Sequence, residues 1–257
     1  MSSLKLKGFC MEKHDHLHNL RHSAAHLLAQ AVLELFPDTV LTIGPVTETG
    51  FFYDFLPSKN FKEDDLVTIE AKMHDIAKRD LAIVGREVSK AEALKLFKNN
   101  KFKIEIIQNL ADTDPISIYG QGDFFDLCKG GHVKSTAEIK NFKLTAISGS
   151  YWRADRDGIA LQRISGVCFD KAKELEAHLQ FLEDVQKYDH RRLGKQLDLF
   201  SFHEVAPGMP IFHHKGTQVL TKLIDFLRFM RKSNYQEIKT PEVMNESLWK
   251  TSGHLEN

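Results

Sequence analysis

His22 and His26 stand four residues apart, and Cys128 and His132 repeat that interval much later in the chain. On a helix, residues four apart share a face, so the two imidazoles can converge on one metal, water or substrate. In Asp126-Leu127-Cys128-Lys129-Gly130-Gly131-His132-Val133 two glycines permit a tight loop that brings a thiol and an imidazole together. The four residues offer the nitrogen and sulfur donors of a tetrahedral zinc site, or the polar lining of a hydrolytic pocket. Histidines recur at His14, His18, His22 and His26, so spacing alone does not choose among them, and a solvated polar stripe is the competing reading.

The elements that must carry these groups follow from periodicity. Apolar residues recur at helical spacing from Leu17 to Phe36, and Pro37 ends the pattern. Short apolar runs broken by Gly44-Pro45 and Gly50 predict strands and turns over Val40 to Leu56, with Phe51-Phe52-Tyr53 in a strand. Asp64 to Asp80 predicts a helix, Ala82 to Val88 a strand and Ser89 to Phe97 a short helix. Lys103 to Ile107, Ile116 to Tyr119, Phe124 to Leu127, Lys143 to Ser148 and Val167 to Phe169 predict strands. The sum is an α+β fold, a mostly antiparallel sheet with helices over one face. A helix over Asp170 to Lys187 runs into the charged connection Tyr188 to Arg192. Beyond it, Gly216 to Lys232 predicts a helix, and Tyr235 to Met244 a strand containing Pro241.

With 257 residues, 42% hydrophobic and 27% charged, the chain can bury one large core or two smaller ones. Lys plus Arg and Asp plus Glu both number 35, so any nucleic-acid contact must come from local basic patches and not from a bulk positive field. Cys10, Cys128 and Cys168 are odd in number and widely spaced, which suits reduced thiols and makes the cytoplasm the expected compartment. No apolar run approaches ~18 residues, and Met1 to Asp15 has no signal-like apolar stretch, so neither membrane insertion nor secretion is expected.

Arg21 to Leu28, Ile43 to Val46, Gly50 to Asp54 and Asp126 to Cys128 occur in an order that resembles the editing domain of bacterial threonyl-tRNA synthetases. Ser148 to Arg153 and Leu161 to Gly166 are similar to its second signature region. Asp189 to Leu199 and Glu204 to Met209 resemble the opening of the catalytic domain, and Tyr235 to Pro241 resembles motif 1 of class II synthetases. The resemblance covers about Arg21 to Asn257. In alanyl-tRNA synthetases the comparable module follows the catalytic domain instead of preceding it. Gly131 stands where the family commonly has proline, and Lys129 where it often has arginine.

The resemblance implies a short segment 1–20, an antiparallel-sheet editing domain over 21–185 with a long helix bearing His-x3-His, and over 186–257 a linker with an incomplete class II aminoacylation domain. It implies hydrolysis of mischarged Ser-tRNA(Thr), with His22, Lys103 and Cys128 catalytic, His26 and His132 around the pocket, and Tyr53 and Asp126 positioning substrate. Without it, Lys103 reads as one of the solvated lysines of the run Lys95, Lys98, Lys101, Lys103, Tyr53 as a core aromatic and Asp126 as a turn residue. Trp152 and Arg153 fit either structural pairing or contact with the tRNA acceptor end. No cofactor is expected for editing, although zinc at His22, His26, Cys128 and His132 fits the residue types. ATP, Mg and a catalytic zinc belong to sequence expected beyond Asn257, so ligation by this chain is not expected. The implied partners are the acceptor end of tRNA(Thr) and a second copy through motif 1; a noncatalytic tRNA-binding or dimerisation module is the alternative.

Overall fold

A computed structural model describes residues 3–111, 114–232 and 234–254, with side chains from His16 onward. The chain divides into two compact units, Met1–Phe181 and Leu182–Asn257.

The first unit is built on helix α1 (Ser3–Leu35), which starts well before the predicted Leu17. Cys10 and His14 lie on its first part, outside the described side chains. From Leu20 to Val32 it buries Leu20, Ala24, Ala25, Leu27, Leu28, Ala29, Ala31 and Val32, a set too wide for one stripe, so the helix is enclosed on several sides. It packs on the helix Glu63–Lys78 and on the strands Gly50–Leu56 and Ala160–Phe169. Arg21, itself buried, donates to Cys168 O at 3.1 Å and Glu48 O at 2.5 Å, tying the helix to the backbone beside it.

After α1 come β1 (Val40–Leu41), β2 (Gly50–Leu56), α2 (Glu63–Lys78), β3 (Ile83–Val88), α3 (Lys90–Leu96), α4 (Lys101–Asn109), β4 (Ile116–Gln121), β5 (Phe124–Leu127), β6 (Asn141–Tyr151), β7 (Ala160–Phe169) and α5 (Ala172–Lys187). The strands form two antiparallel sheets where one was predicted: a four-stranded sheet ordered β1-β2-β7-β6 and a three-stranded sheet ordered β3-β4-β5. Two buried clusters follow this division in part, since Phe124 of β5, and Val133 and Ile139 beyond it, join the cluster of the four-stranded sheet. One gathers α1, α2 and the four-stranded sheet, and the other gathers Ala93, Phe97, Ile107, Ile116 and Ile118 from α3, α4 and β4 and their flanks. The Gly50–Asp54 and Leu161–Gly166 segments prove to be partners, since β2 and β7 pair with Asp54 opposite Arg163. Arg163 grips both carboxylate oxygens of Asp54, at 2.7 and 2.9 Å, and its guanidinium lies 3.6 Å from the Phe52 ring centroid.

Lys103 to Ile107 is helical, not the predicted strand. Lys-Ile-Glu-Ile-Ile is too short for its period to separate the two states. Asn100 settles it: its Oδ1 accepts from the N–H groups of Phe102 and Lys103, both at 3.1 Å, an N-cap that starts the helix there.

The second unit contains the end of α5, then α6 (His190–Gln196), β8 (Phe200–Ser201), β9 (Ile211–Phe212), α7 (His214–Arg231) and α8 (Glu246–Thr251). His213 joins Asp198 at 2.7 Å through Nδ1 and Ser201 at 2.8 Å through Nε2. Tyr235 to Met244 is not the predicted strand, because a strand exists by pairing and no ladder among the described residues includes this segment.

Arg153 and Ala154, in the 3₁₀ turn Trp152–Ala154 between β6 and β7, have φ of 54° and 60°, the left-handed region that costs a side-chain-bearing residue ~1–2 kcal/mol. Glycine removes most of that cost while adding unfolded-state entropy worth ~0.5–1 kcal/mol. Ala154→Gly is therefore expected to stabilise the protein by ~0.5–1 kcal/mol in urea unfolding; a loss of stability would show that the turn is not strained.

Candidate active site

His22 and His26 lie one turn apart on α1, with ring centroids 5.2 Å apart. Across from them, β5 ends and the backbone of Cys128 is fixed to β4: its N–H donates to Ser117 O at 3.1 Å, and Ser117 Oγ donates to Cys128 O at 2.5 Å. Gly130 and Gly131 follow at φ 102° and 85°. A Cβ at Gly130 would sit 2.8 Å from the Tyr119 hydroxyl, and φ 85° at 131 is closed to proline, whose ring holds φ near −65°. The glycine loop brings His132 Nε2 to 3.1 Å from Cys128 Sγ, and His22 Nε2 lies 3.4 Å from the same sulfur. His132 stacks on His22 at 4.3 Å and meets His26 edge-on at 4.4 Å. One donor atom from each of the four residues lies within 4.8 Å of the others.

Two residues in this arrangement escaped the sequence reading. Ser23 Oγ, buried within α1, accepts from Val133 N–H at 3.1 Å and meets His132 Nδ1 at 3.0 Å. A serine between two histidines, on a helix face otherwise apolar, was the available signal. Tyr119 lies 4.7 Å from the His132 ring, and its signal was weaker, being one aromatic in a strand. The assignment that uses each proton once has Ser23 O–H donating to His132 Nδ1, His132 Nε2–H to Cys128 Sγ, and the thiol S–H to His22 Nε2. It leaves the remaining proton on His22 Nδ1, which is buried without a hydrogen bond of good geometry while the Gly131 and Gly130 backbone acts on it electrostatically.

Burial sets the protonation of the cluster. It lowers His22, partly offset by the Gly131 backbone. His26 falls well below the usual imidazole value, through burial and then the charges of His22 and Lys103. His132 is pushed down to about 2 by burial, then by His26 and His22. The Cys128 thiol is pushed up to about 11, again mainly by burial. Near neutral pH the cluster is three imidazoles and a thiol, all uncharged.

The formal charge beside it belongs to Lys103 and Asp126. Lys103 stands apart from the exposed Lys95, Lys98 and Lys101: it is 2% exposed, so the solvated reading is wrong for it. Its Nζ lies 2.6 Å from Asp126 Oδ1 and donates to Tyr53 OH at 3.3 Å. Tyr53 OH donates to Asp126 Oδ2 at 2.5 Å, and Leu127 N–H donates to Oδ1 at 2.8 Å. Burial and the neighbouring Asp126 push the Tyr53 phenol well above its usual value. All seven predicted site residues thus meet in one region of the first unit, and Asp126 directly precedes the glycine loop segment that carries Cys128.

Residues 116–165 match the family described as "Threonyl and Alanyl tRNA synthetase second additional domain". That match includes Asp126, Cys128 and His132 and leaves out α1, β2 and α4. The wider comparison takes those in: the chain is 49% identical over 250 residues to a threonine–tRNA ligase of Legionella pneumophila (strain Corby), covering 96% of this chain and 39% of the relative. This chain belongs to the threonyl-tRNA synthetase family. A threonine–tRNA ligase of Nitrosomonas europaea is 48% identical over 241 residues, 93% of this chain and 38% of the relative. One of Hahella chejuensis is 46% identical over 240 residues, 92% and 38%. The chain therefore spans about two fifths of the length of these synthetases. Among the described residues no helix is long and apolar enough to cross a membrane.

The depressed histidines make stability depend on pH. In the unfolded chain they take up protons below ~6.5, whereas in the fold they resist, so stability is fully present above that value and declines as pH falls. Each contributes up to ~1.4 kcal/mol per pH unit. Urea unfolding at pH 7, 6 and 5 is expected to show this decline, with a shallower slope in His132→Asn by about one proton; equal slopes would contradict it.

Proposed function

We propose that this chain hydrolyses seryl-tRNA(Thr), the editing reaction of a threonyl-tRNA synthetase. One observation supports this above others: a buried Lys–Asp–Tyr network set beside an uncharged His/His/Cys/His cluster, in a chain 46–49% identical to threonine–tRNA ligases. Serine is threonine without a methyl group, and a pocket that accepts threonine rejects the smaller residue by only ~1–3 kcal/mol. A second pocket, admitting the seryl ester and closed to the threonyl one, supplies the missing discrimination.

In this reading the Cys128 S–H turns from His22 to Gly130 O, 3.9 Å away, and His22 Nε2, freed by that turn, takes a proton from water as the water oxygen bonds to the ester carbonyl carbon. Lys103 has three N–H donors, of which Asp126 and Tyr53 take two, and the third serves the developing oxyanion. Collapse breaks the bond between the carbonyl carbon and the ribose oxygen, which receives the proton from His22; serine and tRNA leave and His22 is neutral again. Asp126 and Tyr53 hold Lys103 and position the amino acid, and His26 and His132 line the pocket. Cys128, its thiol pushed up to about 11, stays protonated and does not act as a nucleophile. The acceptor end of tRNA(Thr) is the partner. Threonylation with ATP, Mg and a catalytic zinc, and a dimer through Tyr235 to Pro241, belong to the longer enzyme.

The donor set fits zinc: Sγ to Nε2 separations of 3.1 and 3.4 Å are close to the edges of a tetrahedron with bonds of about 2.0–2.3 Å. His22, His26, Cys128 and His132 together would hold a structural ion, whereas an ion held by three of them would leave room for a water and would lower its pKa. Lys103 acts against an added cation at His26, whereas Asp126 acts in the opposite sense on His22, on His132 and, ahead of Lys103, on Cys128.

His22→Ala and Lys103→Ala are each expected to slow deacylation of Ser-tRNA(Thr) by about 10²-fold or more, with Thr-tRNA(Thr) spared by the parent chain. Unchanged turnover in folded variants would remove these residues from the mechanism, and tRNA binding without turnover in the parent chain would favour the noncatalytic module. Hydrolysis is also expected to survive exhaustive chelation, with less than one zinc per purified chain by elemental analysis. One tightly held zinc, with activity lost on removal and restored on re-addition, would assign the cluster to the metal.

A further inference from the structure

Lys103 is aimed by α4, a nine-residue helix. A helix this short is not stable by itself, so its position is set by what holds it. Phe102, Lys103 and Ile107 are its buried residues, which leaves the polar ties to fix its rotation and its advance. At the start, Asn100 Oδ1 caps the N–H of Lys103 itself while its Nδ2 donates to Leu41 O at 2.8 Å. Further along, Glu105 receives two groups from the β6–β7 turn: Trp152 Nε1 donates to Oε2 at 3.0 Å, and Arg153 pairs with Oε1 at 2.8 Å. The Trp152 ring also packs on Phe102, with centroids 4.8 Å apart.

We infer that Glu105, gripped by Trp152 and Arg153, is a positioning residue for Lys103, through a clamp that joins the four-stranded sheet to the helix carrying the reactive amine. Three features point there. The turn that delivers both groups takes left-handed backbone at Arg153 and Ala154 without glycine, a shape that persists only where the surroundings impose it. The ion pair is half exposed, with Arg153 at 54% and Glu105 at 42%, so its Coulomb energy is screened and its effect is directional. And α4 packs with the smaller cluster, whereas the clamp comes from a strand pair of the larger one, so the contact sets the register of two separately built bodies of side chains. Trp152 and Arg153 thereby receive a role in which neither touches the tRNA.

The inference rests on the editing reading for its kinetic consequence and on geometry alone for its structural one, and the two are tested separately. In the full 257-residue chain, Glu105→Ala and Trp152→Phe are compared with the parent. The first readout is the rate at which an N-hydroxysuccinimide ester acylates Lys103, followed by mass spectrometry. It is expected to rise about 10-fold in Glu105→Ala as α4 opens locally, with the melting temperature of the whole chain little changed. The second is deacylation of Ser-tRNA(Thr), in which kcat is expected to fall about 10-fold with KM nearly unchanged, as for a misplaced group. Glu105→Gln, which still accepts from the indole, is expected to retain more activity than Glu105→Ala. Added to Lys103→Ala, Glu105→Ala should cost nothing further. Should Glu105→Ala fail to fold, Trp152→Phe keeps an aromatic ring against Phe102, though a smaller one, loses the indole N–H, and carries the same expectations. Unchanged labelling of Lys103, an undiminished loss in the Lys103→Ala background, or a rise in KM at constant kcat would each overturn the clamp, the last by making the turn a tRNA contact. A parent chain without Ser-tRNA(Thr) hydrolysis would sink the editing reading instead, and the labelling comparison would still decide the clamp.

Discussion

Two opposite charges taken out of water must meet or leave the fold with a penalty of several kcal/mol for each, and here that obligation falls on Lys103 and Asp126. The pair is assembled from α4 and β5 and completed by Tyr53 from β2, so three elements distant in sequence must arrive together. Leaving one partner unpaired would cost about 3–5 kcal/mol, well above the worth of an ordinary surface pair. A displaced α4 is therefore penalised twice, by the lost contact and by the charge left behind. The interaction that endangers stability is also the one that makes the position of the amine definite.

The same logic extends along the seam between the two buried clusters. Apolar side chains alone set contact area but tolerate sliding, whereas hydrogen bonds between buried groups accept one register. Two cross this seam: Gln121 Nε2 donates to Gln30 Oε1 at 2.8 Å, and Asn100 Nδ2 to Leu41 O at 2.8 Å. His22 and His26 arrive from α1 and Tyr53 from β2, whereas Lys103 arrives from α4, Asp126 from β5 and Cys128 from just beyond it. The candidate site lies where the two bodies meet, which is why its groups are held by polar ties and not by packing alone.

What the sequence disclosed follows from which interactions are local. The His22/His26 interval, the glycine loop between Cys128 and His132, and most helices and strands depend on neighbours within a few residues, and all were readable. Lys103 was readable only through resemblance, because its distinguishing property is burial against a partner from another strand. Its helix was mistaken for a strand although Asn100 stood in the N-cap position; the alternating apolar residues outweighed that signal in a window too short to decide. The separation into two sheets was hidden because antiparallel strands carry the same period whichever neighbour they take. Tyr235 to Met244 had the composition of a strand, but composition does not supply a partner.

The chemistry at the seam turns on a choice between two uses of uncharged imidazoles. Nitrogen lone pairs held free of protons by burial serve equally to take a proton from water or to bind a metal ion, and nothing in His22, His26 and His132 separates the two uses. The Lys103–Asp126 pair acts on these groups unequally. It is a dipole whose positive end acts on His26, whereas its negative end acts on His22, on His132 and, ahead of the lysine, on Cys128. The positive end opposes a divalent ion and favours an anion, which in ester hydrolysis would be the oxygen of the tetrahedral intermediate. It also makes protonation of His26 harder, so the cluster keeps its lone pairs at lower pH than the imidazoles alone would. Removing the lysine while keeping its shape would therefore do more than weaken the proposed hydrolysis: it would shift the same four ligands toward the metal they otherwise resemble a cage for.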